Sequence, residues 1–159
     1  MGRCDPPPVA ALPDRRLRAL TGYTLKRAYQ RLQSDAVRVL EGFGLRISTY
    51  SALAVICDNA DLRQTQLAEA LMMERSNTVV VVDALEQAGL IERRRVPTDR
   101  RSYALRATRV GRRLCDEVTE ALHRHETDML AALPPEDHAA LMALLRRIDG
   151  SGQGGGKDG

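Results

Sequence analysis

The chain has 159 residues, of which 43% are hydrophobic and 3% aromatic, with no Trp and a formal net charge of +3. This length suffices for one domain with its own core, and the shortage of aromatic residues predicts aliphatic packing between helices. No apolar run approaches the ~20 residues of a membrane-spanning helix, and the proline-rich start lacks the apolar centre of a signal peptide. We therefore expect a cytoplasmic protein with no membrane partner.

The chemistry-bearing residues argue against an enzyme. Three cysteines at 4, 57 and 115 form no Cys-x-x-Cys pair, and the three histidines lack metal-ligand spacing. The sequence has no glycine-rich phosphate loop, no Ser-His-Asp pattern and no paired carboxylates at a predicted pocket. We predict no catalytic residue, no metal and no cofactor. Buried thiols are the simpler interpretation of Cys57 and Cys115, and a redox switch is the alternative.

The two ends of the chain predict flexible segments. Residues 1–13 contain four prolines, and residues 150–159 are rich in glycine. Between them, Asp14 opens one long helical pattern whose apolar residues recur at three- and four-residue spacing until Gly42. Residues 14–45 therefore predict a helix that precedes the central unit.

Three shorter helices are predicted next, over about residues 48–58, 64–71 and 75–88. The last of them contains four consecutive valines, 79–82, which intrinsic preference alone would place in a strand. We expect a helix because Thr78, Val81, Val82 and Leu85 share one helical face, and because Gly89 follows where a left-handed C-terminal residue belongs.

A basic hairpin follows these helices. Its predicted strands lie on either side of a turn at residues 97–101. Residues 90–113 hold nine arginines and two acids, whereas the rest of the chain holds 15 basic and 19 acidic residues. Positive charge focused in this way indicates a polyanionic partner, although a solvated hairpin without a partner would show the same pattern.

Two further helices are predicted within residues 108–149. Thr108 is positioned to cap the first, and Pro134 and Pro135 begin the second. Together with residues 14–45 they carry more apolar surface than one winged unit covers, which predicts pairing with a second copy. The expected fold is mainly α: a winged helix-turn-helix over residues 46–107 with a two-stranded β wing, flanked by N- and C-terminal dimerisation helices.

Two consecutive segments carry a family resemblance. Residues 83–93 (DALEQAGLIER) and 99–111 (DRRSYALRATRVG) resemble, in order, three signatures of the MarR family of winged-helix transcription regulators. The resemblance covers about residues 20–148. It implies a homodimer that places one recognition helix per subunit in successive major grooves, ~34 Å apart, on a pseudo-palindromic operator.

The resemblance also implies which residues meet double-stranded DNA. Base edges are assigned to the exposed start of the recognition helix: Arg75, Ser76, Asn77, Val79 and Val80. Arg101 matches the wing arginine that enters the minor groove, and Asp99 matches the acid that braces it; an exposed ion pair is the alternative. Phosphate contacts are assigned to Gln64, Thr65, Arg94, Arg95 and Arg100.

A weaker resemblance concerns a small-molecule effector. Residues 22–28 and 44–46 are similar to MarR regulators of aromatic-acid catabolism, including some that sense hydroxycinnamoyl-CoA thioesters. This implies an aromatic acid or aryl-CoA thioester as ligand, with contacts from Tyr23, Lys26, Arg27, Arg46 and Tyr50. Bonds across the dimer, or exposure to solvent, would explain the same residues.

The expected function is a homodimeric repressor that its ligand releases from DNA. Two alternatives remain: a MarR-type regulator that responds through its cysteines, and a winged-helix interaction module that does not bind DNA.

Overall fold

The computed structural model describes residues 13–96 and 99–150, with the backbone alone for residues 96 and 99–102. Helices dominate this part of the chain, and three strands form one antiparallel sheet in the order β1-β3-β2. The elements are α1 (Arg15–Arg18), α2 (Thr21–Glu41), α3 (Ile47–Asp58), β1 (Leu62–Arg63), α4 (Gln64–Ala70), α5 (Arg75–Gln87), β2 (Ile91–Val96), β3 (Asp99–Ala107), α6 (Arg109–Met129) and α7 (Pro135–Ile148).

The predicted first helix is interrupted. Leu20 has extended backbone angles, which separate the four-residue α1 from α2. The Thr24 hydroxyl donates a hydrogen bond to the carbonyl oxygen of Arg18, 3.0 Å away, and so satisfies a backbone group at the end of α1. The prediction of one continuous helix was wrong here, because apolar spacing continues across the break.

The valine run is helical, as predicted. Thr78, Val81, Val82 and Leu85 are all buried on one face of α5, so tertiary packing outweighs the strand preference of valine. Gly89 has φ +68°, and the amide of Leu90 donates to the carbonyl of Leu85. This is the left-handed C-terminal motif that the glycine predicted.

The wing is confirmed as a hairpin of β2 and β3, paired from Ile91 and Ala107 outward. β3 already begins at Asp99, so the strands extend further into the predicted turn than expected. A third strand was missed: Leu62 of β1 pairs with Leu105 of β3. Two residues are too few to show the alternation by which a strand is recognised in a sequence.

The core lies beneath the helix-turn-helix and the wing, with α3 in contact with α4, α5, α6 and β3. Its fully buried side chains are mostly aliphatic and include Leu53, Ile56, Leu67, Val82, Leu85, Leu105 and Val118. In contrast, α1 and α7 contain no buried residue. Among the described helices, none has the length and apolar composition needed to cross a bilayer.

Three elements meet at the carbonyl oxygen of Leu90. It accepts a hydrogen bond from the amide of Thr108 at 2.9 Å, and the Thr108 hydroxyl lies 2.8 Å from the carbonyl oxygen of Gly89 and 3.1 Å from that of Leu90. The same hydroxyl accepts from the amide of Gly111 at 3.0 Å, which caps α6 as predicted. A Cβ at position 111 would lie 1.9 Å from this oxygen. Glycine at 111 is therefore required by a close approach of two backbone segments.

We expect Gly111→Ala to lower the free energy of unfolding by about 3 kcal/mol, because the added methyl must displace backbone. At an exposed helical glycine the same change has the opposite sign and raises the free energy of unfolding by up to about 1 kcal/mol. Gly22→Ala is the matched control, since its Cβ would meet nothing within 4 Å. Urea unfolding followed by circular dichroism measures both, and equal stability of the two variants would contradict the close approach.

Candidate nucleic-acid interface

The outward side of α5 presents the residues predicted to read bases. Because the opposite side is buried in the core, the remaining side chains of its first two turns face solvent. Val80 is 68% exposed. The exposed residues at these positions are Arg75, Ser76, Asn77, Val79 and Val80.

α4 and α5 together form a shallow hollow of about 230 Å³. Its lining includes four of the predicted DNA contacts: Gln64, Thr65, Arg75 and Val79. The structure thus brings residues from two helices to one surface, although they are separated by up to 15 positions in the sequence.

Local hydrogen bonds define the start of α4 and the turn between α4 and α5. The amide of Arg63 donates to Oε1 of Gln66 at 2.9 Å and so anchors the start of α4. Met72 adopts φ +49° in the turn, a conformation in which glycine or asparagine is the usual residue. The amide of Met73 then donates to the carbonyl of Ala68, which closes the turn before α5.

Several arginines of the basic hairpin are bound to carboxylates. Arg93 pairs with Asp83 and Glu86 of α5, and Arg106 pairs with Asp61. The hydrogen bond from Arg106 holds the pKa of Asp61 below its usual value. The positive charge that the sequence places here is therefore partly neutralised within the chain.

The predicted phosphate contacts of the wing differ in whether they already pair with a carboxylate. Arg94 is exposed and lies 2.6 Å from Oε1 of Glu92. Arg95 and Arg75 are exposed and have no ion-pair partner among the described side chains of residues 13–95 and 103–150. Such side chains can meet a polyanion without first breaking a bond inside the protein. The side chains of Asp99, Arg100 and Arg101 lie outside the described part of the structure.

Two of the predicted ligand contacts lie in a cluster at the N-terminal helices. The guanidinium of Arg27 stands 5.9 Å from the centroid of the Tyr23 ring, and the Tyr23 hydroxyl donates to Oδ2 of Asp14 at 2.9 Å. Lys26 is exposed nearby in sequence. Sequence reasoning missed Asp14, although an acid four residues before Arg18 is a recognisable helical pair.

Arg46 and Tyr50 lie at the start of α3. Arg46 lines a cavity of about 570 Å³ with mainly apolar walls, formed by Val37, Leu40, Leu45, Leu71 and Met73 among others. The hydroxyl of Thr119 donates to the carbonyl of Cys115 at 2.7 Å, so the Tyr50 hydroxyl, 2.9 Å from Thr119 Oγ1, is the donor to it. Tyr50 thus holds α3 to α6.

The cysteines do not resemble a reactive pair. Cys115 is buried and Cys57 is partly buried. Burial, with Cys115 alongside, raises the pKa of the Cys57 thiol to about 12. No group of three metal-ligating side chains comes together in the part of the chain that the structure describes.

Comparison with known proteins finds relatives of this chain among transcriptional regulators. A sequence model described as MarR family matches residues 43–102. A putative transcriptional regulatory protein for the hcr operon of Thauera aromatica is 38% identical over 105 residues, covering 66% of this chain. The chain spans 63% of that relative's length.

Solved structures match over more of the chain. The transcriptional repressor CouR bound to a 23-mer DNA duplex is 34% identical with a TM-score of 0.81, covering 87% of this chain and 98% of that one. The chain belongs to the MarR family. CouR from Rhodococcus jostii RHA1 bound to p-coumaroyl-CoA is 28% identical with a TM-score of 0.73, covering 83% and 93%. These MarR relatives are transcriptional regulators and not enzymes, as the sequence predicted.

The raised pKa of Cys57 makes a kinetic prediction. At pH 8 the thiolate fraction falls about a thousandfold relative to an ordinary thiol of pKa 9.0, since the pKa rises to about 12. In a Cys4→Ser background, we expect dithionitrobenzoate to modify the native protein about a thousandfold more slowly than the urea-unfolded chain.

The same shift predicts that the native state loses stability as the pH rises from 9.0 towards about 12, because a raised pKa in the folded state favours the neutral thiol. Rapid native-state modification near neutral pH would contradict both expectations and favour a regulator that responds through its cysteines.

Proposed function

We propose that the protein is a sequence-specific repressor that binds double-stranded DNA as a homodimer and is released by a small anionic aromatic ligand or its CoA thioester. The observation that carries this proposal is the exposed face of α5, which shares a hollow with α4 and carries Arg75, a residue without an ion-pair partner among the described side chains. A helix exposed in this way, beside a basic wing, fits the major groove.

The residues on α5 supply different kinds of base contact. Arg75 matches the two acceptors of guanine, and Asn77 matches the donor and acceptor of adenine. Val79 and Val80 suit thymine methyl groups, and Ser76 suits either kind of polar edge. Readout is therefore partly apolar.

The remaining predicted contacts position the protein on the duplex. Arg94, Arg95 and Arg100 meet phosphates of the wing side, and Gln64 and Thr65 meet phosphates at the start of α4. Arg101 enters the minor groove, braced by Asp99, where a narrow A·T-rich groove concentrates negative potential. CouR, a relative of similar fold, is bound to a 23-mer DNA duplex in one structure, which supports duplex DNA as the partner.

The homodimer is supported by the unpacked terminal helices. α7 packs only marginally against the other described elements, yet it presents apolar side chains, among them Leu144 at 52% and Ile148 at 66% exposure. An isolated helix of this length, 14 residues, is marginal in water. Leu17, Leu20, Leu25 and Tyr29 add exposed apolar surface at the N-terminal helices. A second copy would cover both.

The cavity beside Arg46 supports the effector. Its volume of about 570 Å³ lies within the usual range for small-molecule sites. Apolar walls suit an aromatic ring, and Arg46 suits a carboxylate or phosphate. It lies where α2 meets α3, between the terminal helices and the helix-turn-helix, so a bound molecule would touch both. CouR, bound to p-coumaroyl-CoA in one structure, supports this ligand class.

Fluorescence anisotropy with duplexes flanking the coding region tests DNA binding. We expect Arg75→Ala to weaken operator binding about tenfold, because one bidentate base contact contributes ~1–3 kcal/mol. Arg101→Ala should weaken binding and lower the slope of log affinity against log salt by about one. Arg124→Ala on α6 is the control and should change affinity less than about twofold. If the affinity of the wild-type protein for duplexes depends neither on salt concentration nor on DNA sequence, the protein-interaction module is favoured instead.

The same titration tests release by p-coumarate, benzoate and p-coumaroyl-CoA. A hundredfold loss of operator affinity requires the ligand to prefer the released state by ~2.7 kcal/mol. We expect at least one compound to reach this effect and Arg46→Ala to reduce it. Unchanged operator affinity with every compound would contradict the effector proposal while leaving DNA binding standing.

Leu144→Lys tests the homodimer. A charge placed on the exposed apolar face of α7 should shift micromolar protein from dimer to monomer in sedimentation velocity, and should weaken operator binding at least about tenfold because two half-sites are no longer held together. Arg124→Ala should remain dimeric. A Leu144→Lys protein that stays dimeric and binds DNA normally would remove α7 from the interface.

A further inference from the structure

Asp14 is held by three donors at the N-terminal helices. Its Oδ1 lies 2.6 Å from Nε of Arg18, and its Oδ2 lies 2.9 Å from the Tyr23 hydroxyl and 3.7 Å from Nη1 of Arg27. We propose that Arg18, Tyr23 and Arg27 form an oxyanion-binding site, which Asp14 occupies in the free protein and from which an anionic ligand displaces it. This inference rests on the effector response proposed above.

The donor set matches a carboxylate or a phosphate group. Two guanidinium groups and a phenol provide charge-assisted hydrogen bonds to oxygens that carry negative charge. Tyr23 and Arg27 stand four residues apart on one face of α2, so both stay in place when Asp14 leaves. The bonds from Arg18 and Tyr23 hold the pKa of Asp14 below its usual value, so the carboxyl competes as an anion at neutral pH.

Displacement of Asp14 from this site costs little free energy. The ion pairs around it are largely solvent-exposed, with Arg18 at 57% and Arg27 at 50%, and solvent screening leaves such pairs weak. Asp14 precedes α1, a helix of four residues that buries none of them. A ligand that adds ring contacts or a second charge can therefore replace an internal carboxylate that adds neither.

The consequence reaches the surface proposed for the dimer. Asp14 tethers α1 to α2 through Tyr23 and Arg27, and the segment just after it carries the exposed Leu17 and Leu20. Release of Asp14 removes this tether, while the Thr24 hydroxyl still holds the carbonyl oxygen of Arg18. Ligand binding is thereby linked to the apolar surface that a second copy would cover.

Isothermal titration of the full-length protein tests the inference with two probes, benzoate for the carboxylate and adenosine 3′,5′-bisphosphate for the phosphate. We expect Asp14→Ala to bind one probe about tenfold more tightly than the wild type. This factor corresponds to a wild type in which Asp14 occupies the site in nine-tenths of the molecules. The probe that gains affinity identifies the oxyanion. Thermal unfolding confirms that the variant is folded.

Asp35→Ala is the matched control. Asp35 lies on α2 with its side chain 21% exposed and pairs with Arg38 at 3.5 Å, and the side chain of Asp14 is 23% exposed. Asp35→Ala removes the same charge as Asp14→Ala but no contact to Tyr23 or Arg27. Because solvent screens a general effect of charge, Asp35→Ala should change probe affinity less than about twofold. Adding Arg27→Ala to Asp14→Ala should abolish the gain.

Two results would overturn the inference: an Asp14→Ala protein that binds both probes no more tightly than Asp35→Ala, or a gain that survives Arg27→Ala. The proposed function fails differently. If the probe binds more tightly to Asp14→Ala but operator affinity never responds to it, the oxyanion site stands and the effector response at this site does not.

Discussion

The burial of one face of α5 is the constraint on which the surface proposed to face DNA depends. Thr78, Val81, Val82 and Leu85 enter the core, and the residues between them are turned to solvent as a geometric consequence. Thr78 can be buried because its hydroxyl donates to the carbonyl of Glu74 at 3.0 Å. The position of the outward residues is therefore set by side chains that do not face the proposed DNA.

Much of this could be predicted from the sequence because its signals are local. The spacing of apolar residues predicted α3 to α6, and Gly89 and Thr108 predicted two helix ends. The break before α2 and the strand β1 were missed since neither is long enough to alter a periodic pattern. Asp61 and Arg106 are 45 residues apart, and only the fold brings them together.

The distribution of charge shows the same limit. A count of arginines identified the wing, but it could not separate Arg93, held by two carboxylates of α5, from Arg95, which has no described partner. The first joins the wing to α5, and the second remains available to an anion. The same distinction applies at α2, where Tyr23 and Arg27 already hold a carboxylate of the chain itself.

The junction at the Leu90 carbonyl has a mechanical consequence. α6 starts there and runs for 21 residues, which at 1.5 Å per residue is a rod of about 31 Å. A rotation of about five degrees at the joint would move the far end of that rod by roughly 3 Å, from simple leverage over its length. Conversely, if the terminal helices slid past one another by a few ångströms, the wing would tilt slightly. The close approach at position 111 leaves no room for a side chain at this joint.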